Sequence, residues 1–123
     1  MKINLITLHT SELLKSIKFY EEILNMKIVK EIRPNENMRL IFLKGDGDIL
    51  LELIEDKALT VLDSVSSNVS IGLFIDDMEK ILEILRDRKI QIKRGPITVP
   101  SGNKLLFIED PNGVEVEFIE GRI

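Results

Sequence analysis

The spacing of hydrophobic and polar positions in the first half of the chain predicts a strand, a helix and three further strands. Residues Ile3 to Leu8 are mostly apolar and rich in strand-forming types, so they predict the first strand. Between residues 12 and 24 apolar positions recur every three or four residues, which predicts a helix. Ser11 is suited to cap its first turn, and Asn25 to end it in the left-handed conformation. Three strands are predicted next, at Lys27 to Ile32, Arg39 to Leu43 and Ile49 to Glu55.

The second half shows the same order of patterns after a polar spacer at residues 57–68. A strand, a helix and three strands are predicted at residues 69–75, 77–88, 90–94, 104–109 and 114–120. The proline- and glycine-bearing stretch 95–103 predicts a long connection, either a flap over a binding site or an ordinary exposed loop. The fold class is therefore α+β. We expect one domain over residues 1–123, built from two βαβββ repeats at residues 1–62 and 67–121.

The repeat can be tested by shifting the chain along itself by 65 residues. The shift places LIFLKGDGDILLELIE (40–55) on LLFIEDPNGVEVEFIE (105–120) without gaps, and it also pairs Glu12 with Asp77 in the two helices. Two unrelated amphipathic hairpins would look alike by chance. They would not require a constant offset in both helix and hairpin, so the shift favours a true repeat.

Two glutamates stand out when side-chain direction along the strands is considered. Successive strand residues point to opposite faces, so Glu52 and Glu117 lie opposite the residues that suit burial under a helix. The 65-residue shift makes them equivalent, and each has an apolar residue at one or both neighbouring positions on its own face. A carboxylate in such surroundings is costly unless it gains a cation, a hydrogen-bond donor or a proton, which indicates a site. The alternative is that both glutamates face water on open strands.

Composition narrows the classes of function. The 123 residues are 44% hydrophobic and 31% charged, which is typical of a globular domain, and no apolar run approaches a membrane span. The first residues lack the pattern of a signal peptide, so we expect a cytoplasmic protein. There is no cysteine and His9 is the only histidine, which excludes thiolate chemistry and paired-histidine metal motifs. The net charge of −4 argues against nucleic acid as a partner.

Three stretches resemble a known family. KSIKFYEEILNMKI (15–28), ELIE (52–55) and EDPNGVEVEFIE (109–120) are similar to motifs of the glyoxalase, bleomycin-resistance and extradiol-dioxygenase superfamily, also called vicinal oxygen chelate. The resemblance implies that each unit curls a mixed sheet into a cup with its helix on the outer face. It also implies a homodimer in which units from two subunits complete each cup, and a divalent metal held from the first and last strands of each unit.

The residues at the implied metal positions depart from the family pattern. These positions are Leu5, Glu52, Ser70 and Glu117, whereas metal-dependent relatives commonly carry His or Gln at the first and His at the third. Leu5 has no ligand atom, and a serine hydroxyl is a weak ligand for Zn, Ni or Fe. We therefore expect no tightly bound transition metal and no other cofactor. The two glutamates remain candidate weak ligands for a hard cation such as Mg or Mn.

Three functions stay open on these residues. A divalent metal binds weakly, or Glu117 acts as a general base, or the protein binds a cationic or hydrogen-bond-donating organic ligand without chemistry, as drug-sequestering bleomycin-resistance proteins do. The third function requires the fewest special side chains, so we predict a small-molecule-binding protein. Its predicted ligand contacts are Leu5, His9, Glu52, Ser70 and Glu117, and the two glutamates are expected to face one shared cavity. His9 is expected at the rim of the cup, or is a plain surface residue at a strand end. The alternative is a lyase, isomerase or dioxygenase of the same superfamily, of glyoxalase I type if a lyase.

Overall fold

The structure is a computed structural model that describes residues 1–58 and 69–122. The chain divides into two compact units between residues 64 and 65. The first unit contains β1 Leu5–His9, α1 Leu13–Glu22, β2 Lys27–Ile32, β3 Met38–Lys44 and β4 Leu50–Asp56. The second contains β5 Ser70–Ile75, α2 Met78–Asp87, β6 Arg94–Thr98, β7 Lys104–Glu109 and β8 Glu115–Glu120. Most of the predicted spacer, residues 59–68, lies outside the described residues.

Each unit has one four-stranded mixed sheet, with strand order β1-β4-β3-β2 in the first and β5-β8-β7-β6 in the second. The first and last strands of each unit pair in parallel, and the other neighbours pair antiparallel. The predicted α+β architecture with two βαβββ units is therefore confirmed. Among the described residues, no helix combines the length and apolar character needed to cross a membrane.

Strand alternation determines which residues of each sheet are buried, and in the first unit these residues lie against the helix. In the first unit Leu51 and Leu53 of β4 are buried, and α1 packs on this strand. The helix contributes Tyr20, which is fully buried and meets the ring of Phe19 edge-on at 5.1 Å. Removing such a side chain from water contributes about 1.5–3 kcal/mol. In the second unit Val116 and Phe118 are buried in the same way, as the alternating pattern predicts.

The start of α1 differs from the prediction. Glu12, not Ser11, occupies the N-cap position and makes no side-chain cap hydrogen bond. The backbone N–H of Glu12 instead donates to the hydroxyl of buried Thr10 at 2.9 Å, and this hydroxyl lies 3.1 Å from that of Ser16. The cap prediction at Ser11 is therefore wrong, because a buried hydroxyl one residue earlier satisfies the helix entry. In α2 the N-cap is Asp77, which the shift equates with Glu12.

The end of α1 agrees with the prediction. Asn25 has a φ of 54°, in the left-handed region. The N–H of Met26 then donates to the carbonyl of Tyr20 at 3.0 Å, which closes the last turn of the helix.

The predicted strand at residues 90–94 is wrong. The strand is β6, four residues later, and it includes Gly95 and Pro96. The pattern indicated a break at this dipeptide, but β6 is the edge of its sheet, where a proline needs no partner for its missing N–H. The pairing is irregular between Arg94 and Ile97. At Gly95 φ is 93° and an added Cβ would lie 2.5 Å from the carbonyl oxygen of Leu105, so only glycine fits this irregularity.

The stretch 95–103 is accordingly not one long connection, as the prediction had it. Its first half belongs to β6, and its second half is a hairpin turn that leads into β7. Val99 N–H donates to the Asn103 carbonyl at 3.0 Å, and Gly102 N–H donates to the Val99 carbonyl at 2.8 Å. These backbone bonds account for the turn.

Candidate ligand-binding site

The face of each sheet opposite its helix, here called the open face, carries the predicted site residues. On the first sheet β1 and β4 pair in register, and the residue pairs on this face are Leu5 with Leu50, Thr7 with Glu52 and His9 with Ile54. On the second sheet the equivalent pairs are Ser70 with Glu115, Gly72 with Glu117 and Phe74 with Ile119. The structure therefore places every predicted site residue on an open face, within its own unit.

Glu52 is held by a hydrogen bond that the sequence analysis did not identify. Its side chain is only 9% exposed, between Leu50 and Ile54 on the same strand. The hydroxyl of Thr7 donates to its Oε1 at 2.8 Å. A nearly buried carboxylate needs such a donor, because an unsatisfied one loses its hydration without compensation. On the other side its cross-strand partner is Phe42.

Leu5 and His9 lie on the same face as Glu52, but neither is its cross-strand partner. Leu5 is opposite Leu50 and is 46% exposed, so it presents an alkyl group two residues from the Thr7 position. His9 lies at the other end of β1, exposed and opposite Ile54. The alternation along β1 puts both on one face, and the exposed position of His9 at the strand end fits either prediction, the rim of a cup or a plain surface residue.

Glu117 is in different surroundings from Glu52. Its neighbours across the strands are Gly72 and Phe107. Within residues 1–58 and 69–122 its half-buried carboxylate makes no hydrogen bond or ion pair. A Cβ added to Gly72 would meet only the Cδ1 atom of Ile119, at 3.8 Å, so there is room beside this carboxylate.

The turn Asp110 to Gly113 positions Glu117 on this face. Buried Asp110 accepts hydrogen bonds from the N–H groups of Asn112 and Val114, both at 2.8 Å. Its own N–H donates to the carbonyl of Val114 at 2.8 Å. β8 then begins in antiparallel register with β7, so the turn determines which residues of β8 lie on this face.

Ser70 contacts Glu115 and not Glu117. Its hydroxyl donates to Oε1 of Glu115 at 2.6 Å, and Lys93 Nζ lies 3.1 Å from both Glu115 Oε2 and Glu109 Oε1. The Ser70 hydrogen bond first, and then Lys93, lower the pKa of Glu115 below its ordinary value. The hydrogen bonds with Glu115 and Glu109 raise the pKa of Lys93. Ser70 is thus engaged in an ion-pair cluster through Glu115, two residues before Glu117 on β8.

Across the four strands of each sheet, the cross-strand partners form a row through the glutamate. In the second sheet the row runs Gly72, Glu117, Phe107, Arg94. The guanidinium of Arg94 lies 4.1 Å from the centroid of the Phe107 ring, a cation–π contact, and its NH2 lies 3.5 Å from Glu115. In the first sheet the row runs Thr7, Glu52, Phe42, Lys30. Both rows have the order small residue, glutamate, phenylalanine, cation, and we call them the first and second glutamate rows.

The family sequence model of the Glyoxalase/Bleomycin resistance protein/Dioxygenase superfamily matches residues 2–118 of the chain. The chain belongs to this superfamily. This confirms the resemblance carried by the helix, ELIE and DPNG motifs.

Curated relatives and solved structures give the range of proteins similar to this member of the glyoxalase superfamily. The chain is 31% identical over 111 residues to the probable chloroplastic lactoylglutathione lyase of Arabidopsis thaliana, covering 86% of this chain but only 32% of that protein. It is 28% identical over 120 residues to the lactoylglutathione lyase of Haemophilus influenzae, covering 94% of this chain and 89% of that one. TnmS3, an antibiotic binding protein from Streptomyces sp. CB03234, shares the fold with a TM-score of 0.77 at 19% identity, over 99% of this chain and 97% of that chain.

The residues at the superfamily's metal positions do not fit a tight transition-metal site. Leu5 offers only carbon, and the Ser70 hydroxyl already donates to Glu115. In the part of the chain that the structure describes, no three His, Cys, Asp or Glu residues come together as a metal-binding group. Glu52 and Glu117, one in each unit, are the two of these positions that carry carboxylate oxygens, the ligand type that hard cations such as Mg and Mn prefer.

Six residues of the glutamate rows were not identified from the sequence: Thr7, Phe42, Lys30, Gly72, Phe107 and Arg94. The same 65-residue shift finds four of them, because it pairs Thr7 with Gly72 and Phe42 with Phe107. The partner of each glutamate on the parallel strand depends on register, which alternation along one strand does not reveal.

Proposed function

We propose that this glyoxalase-superfamily protein binds a small organic ligand on the open faces of its sheets and needs no tightly bound transition metal to do so. The observation that carries the proposal is the state of Glu117. Its carboxylate lies between apolar and aromatic neighbours and makes no bond within the described residues, while the remaining metal positions offer an alkyl group and an engaged hydroxyl. Such a carboxylate gains most from a ligand that brings a cation or a hydrogen-bond donor.

The other predicted site residues have supporting roles in this proposal. Leu5, beside Glu52, and exposed His9, at the end of the first sheet, would contact uncharged parts of a larger ligand. Ser70 acts indirectly, because its hydroxyl holds Glu115 within the ion-pair cluster. We further propose that residues 1–123 act as one domain and that the working assembly is a homodimer, since apolar side chains such as Leu5 are left half exposed in the single chain.

A second candidate function is a lyase reaction, and one observation favours it. The Haemophilus influenzae relative, which aligns with 94% of this chain, is a lactoylglutathione lyase. In that case Glu117 would move a proton as a general base, since it is the glutamate with no competing bond in the described residues, and Glu52 would remain fixed by Thr7. A weakly bound divalent metal would then have to supply electrophilic assistance.

A thermal-shift screen separates the two candidates. A ligand that binds only the native state adds about 2.7 kcal/mol of stability at a hundredfold excess over Kd, and so raises the melting temperature. The binding proposal expects stabilisation by cationic organic compounds in the presence of a chelator. Glu117→Gln should lose this response, whereas Glu83→Gln, on the exposed side of α2, should keep it. Stabilisation by divalent metals alone would favour the lyase.

A further inference from the structure

The two glutamate rows differ at their first residue, and this difference separates the roles of the two glutamates. Thr7 fills the position beside Glu52 and donates to it, whereas Gly72 leaves the position beside Glu117 open. Resting on the proposed function, we infer that Gly72 is the specificity-determining residue of the site, which keeps Glu117 free to bind an ammonium or amidinium group of the ligand. Glu52, by contrast, is a structural carboxylate of the first sheet.

The first row is closed by its own side chains. Thr7 Oγ1 lies 2.8 Å from Glu52 Oε1, and the glutamate is only 9% exposed. A ligand cation would have to displace a hydrogen bond to a charged group, which is among the stronger side-chain interactions. The first row is therefore a poor place for a ligand's charge.

The glycine in the second row has no packing reason. A Cβ at Gly72 would meet only Ile119 Cδ1, at an ordinary van der Waals distance of 3.8 Å, and no left-handed φ requires glycine there. Glycine inside a strand lowers stability, because it loses more backbone freedom on folding and has no side chain to pack. Its place in a strand is explained if a ligand approaches the sheet closely at this point.

The charges around the second row determine the ligand chemistry. Lys93 pairs with both Glu109 and Glu115, and Arg94 pairs with Glu115, so the two cations balance these two carboxylates. Glu117, the carboxylate of the second row itself, has no ion-pair partner within residues 1–58 and 69–122, which favours a cationic group.

The body of the ligand should be apolar. Phe74 and Ile119 are cross-strand partners on the same face, next to Gly72 and Glu117. Ile119 is buried, whereas Phe74 is 50% exposed, with the Arg122 guanidinium 5.2 Å from its ring centroid. An aryl or alkyl group attached to the cation would cover the exposed part of Phe74. The geometry therefore points to a small arylamidine or aralkylamine as the ligand class.

Benzamidine provides the test, because it joins an amidinium to a phenyl ring. We would titrate 15N-labelled protein with benzamidine in chelator, and with benzoate and benzyl alcohol as charge controls. The expected result is saturable benzamidine-specific shifts confined to β5 and β8. Gly72→Thr, which copies the Thr7 arrangement, should weaken binding about tenfold, the loss of one charge-assisted hydrogen bond. Its melting temperature should be equal or higher, because threonine favours strands.

Reciprocal variants make the assignment falsifiable. Thr7→Gly opens the first row, so benzamidine shifts should now also appear in β1 and β4. Wild-type shifts in β1 and β4, or Gly72→Thr binding benzamidine as tightly as wild type, would overturn the assignment to Gly72 while the binding proposal stands. No benzamidine binding at millimolar concentration, or equal binding of benzoate, would overturn the cationic ligand class. The binding proposal itself would fail on a different result, namely that divalent metals alone stabilise the protein in the thermal-shift screen.

Discussion

Replacement of Thr7 by valine tests whether a hydrogen bond holds Glu52 in place. Valine has nearly the same shape as threonine but carries a methyl group where the hydroxyl donates to Glu52 Oε1 at 2.8 Å. Hydrogen bonds to charged groups contribute about 1.5–3 kcal/mol, and the lower end applies because this pair is only part-buried. We therefore expect Thr7→Val to lower the free energy of unfolding by about 1.5 kcal/mol. For a chain of 123 residues this corresponds to a fall in melting temperature of about 6 °C.

The assay is urea unfolding followed by far-ultraviolet circular dichroism, since the chain has no tryptophan. A double-mutant cycle with Glu52→Leu isolates the pair, and its coupling energy should be about 1 kcal/mol. Thr98→Val is the matched control, because Thr98 is exposed at the end of β6, and it should change stability by less than about 0.5 kcal/mol. If Thr7→Val behaves like the control and the cycle shows no coupling, the hydrogen bond does not hold Glu52 and the contrast between the rows loses its basis.

Three further predictions concern the ion-pair cluster, the edge strand and the assembly. Ser70→Ala removes the largest cause of the lowered pKa of Glu115, so this pKa should rise toward its ordinary value in a carboxyl NMR titration. A lowered pKa stabilises the fold at pH values above the unfolded-state pKa, and this stabilisation is lost as the pH falls through the folded-state pKa. The variant should therefore lose less stability than wild type on acidification. An unchanged pKa of Glu115 would contradict the assignment. Gly95→Ala should lower the free energy of unfolding by more than about 1 kcal/mol, whereas Gly47→Ala, with open space around it, should change it little; equal effects would show that the bulge does not need glycine. Light scattering at micromolar concentration should give twice the chain mass of 14.1 kDa, and a monomeric mass would rule out the proposed dimer.

Much of the fold could be predicted because it depends on local patterns. The alternation in β4 and β8 determines which residues face a helix, and buried Leu53 and Phe118 confirm it. The DPNG turn has a mechanism that the residues themselves supply, since Asp110 bonds the N–H groups that follow it. β6 was misplaced because glycine and proline interrupt a strand pattern, and only the position of this strand at the sheet edge makes them acceptable.

The candidate site was predicted less completely, for a physical reason. Alternation assigns a side chain to a face, but the side chain it meets depends on the register between two parallel strands distant in sequence. The register places Thr7 beside Glu52 and Ser70 beside Glu115. The hydroxyl of Ser70 therefore meets Glu115, and the residue beside Glu117 is Gly72. The hydroxyl that does bond a row glutamate, that of Thr7, lies two residues from the position considered.

Elemental analysis of the purified protein tests the central claim most directly. The claim is that Glu117, on the open face of the second sheet, binds an organic ligand and that the protein holds no transition metal tightly, because Leu5 has no ligand atom and the Ser70 hydroxyl is engaged with Glu115. The protein should be purified without chelator and measured by inductively coupled plasma mass spectrometry. We predict Zn, Ni, Fe and Mn far below one equivalent per chain. One equivalent of any of these metals per site, lost in Glu117→Gln, would contradict the account.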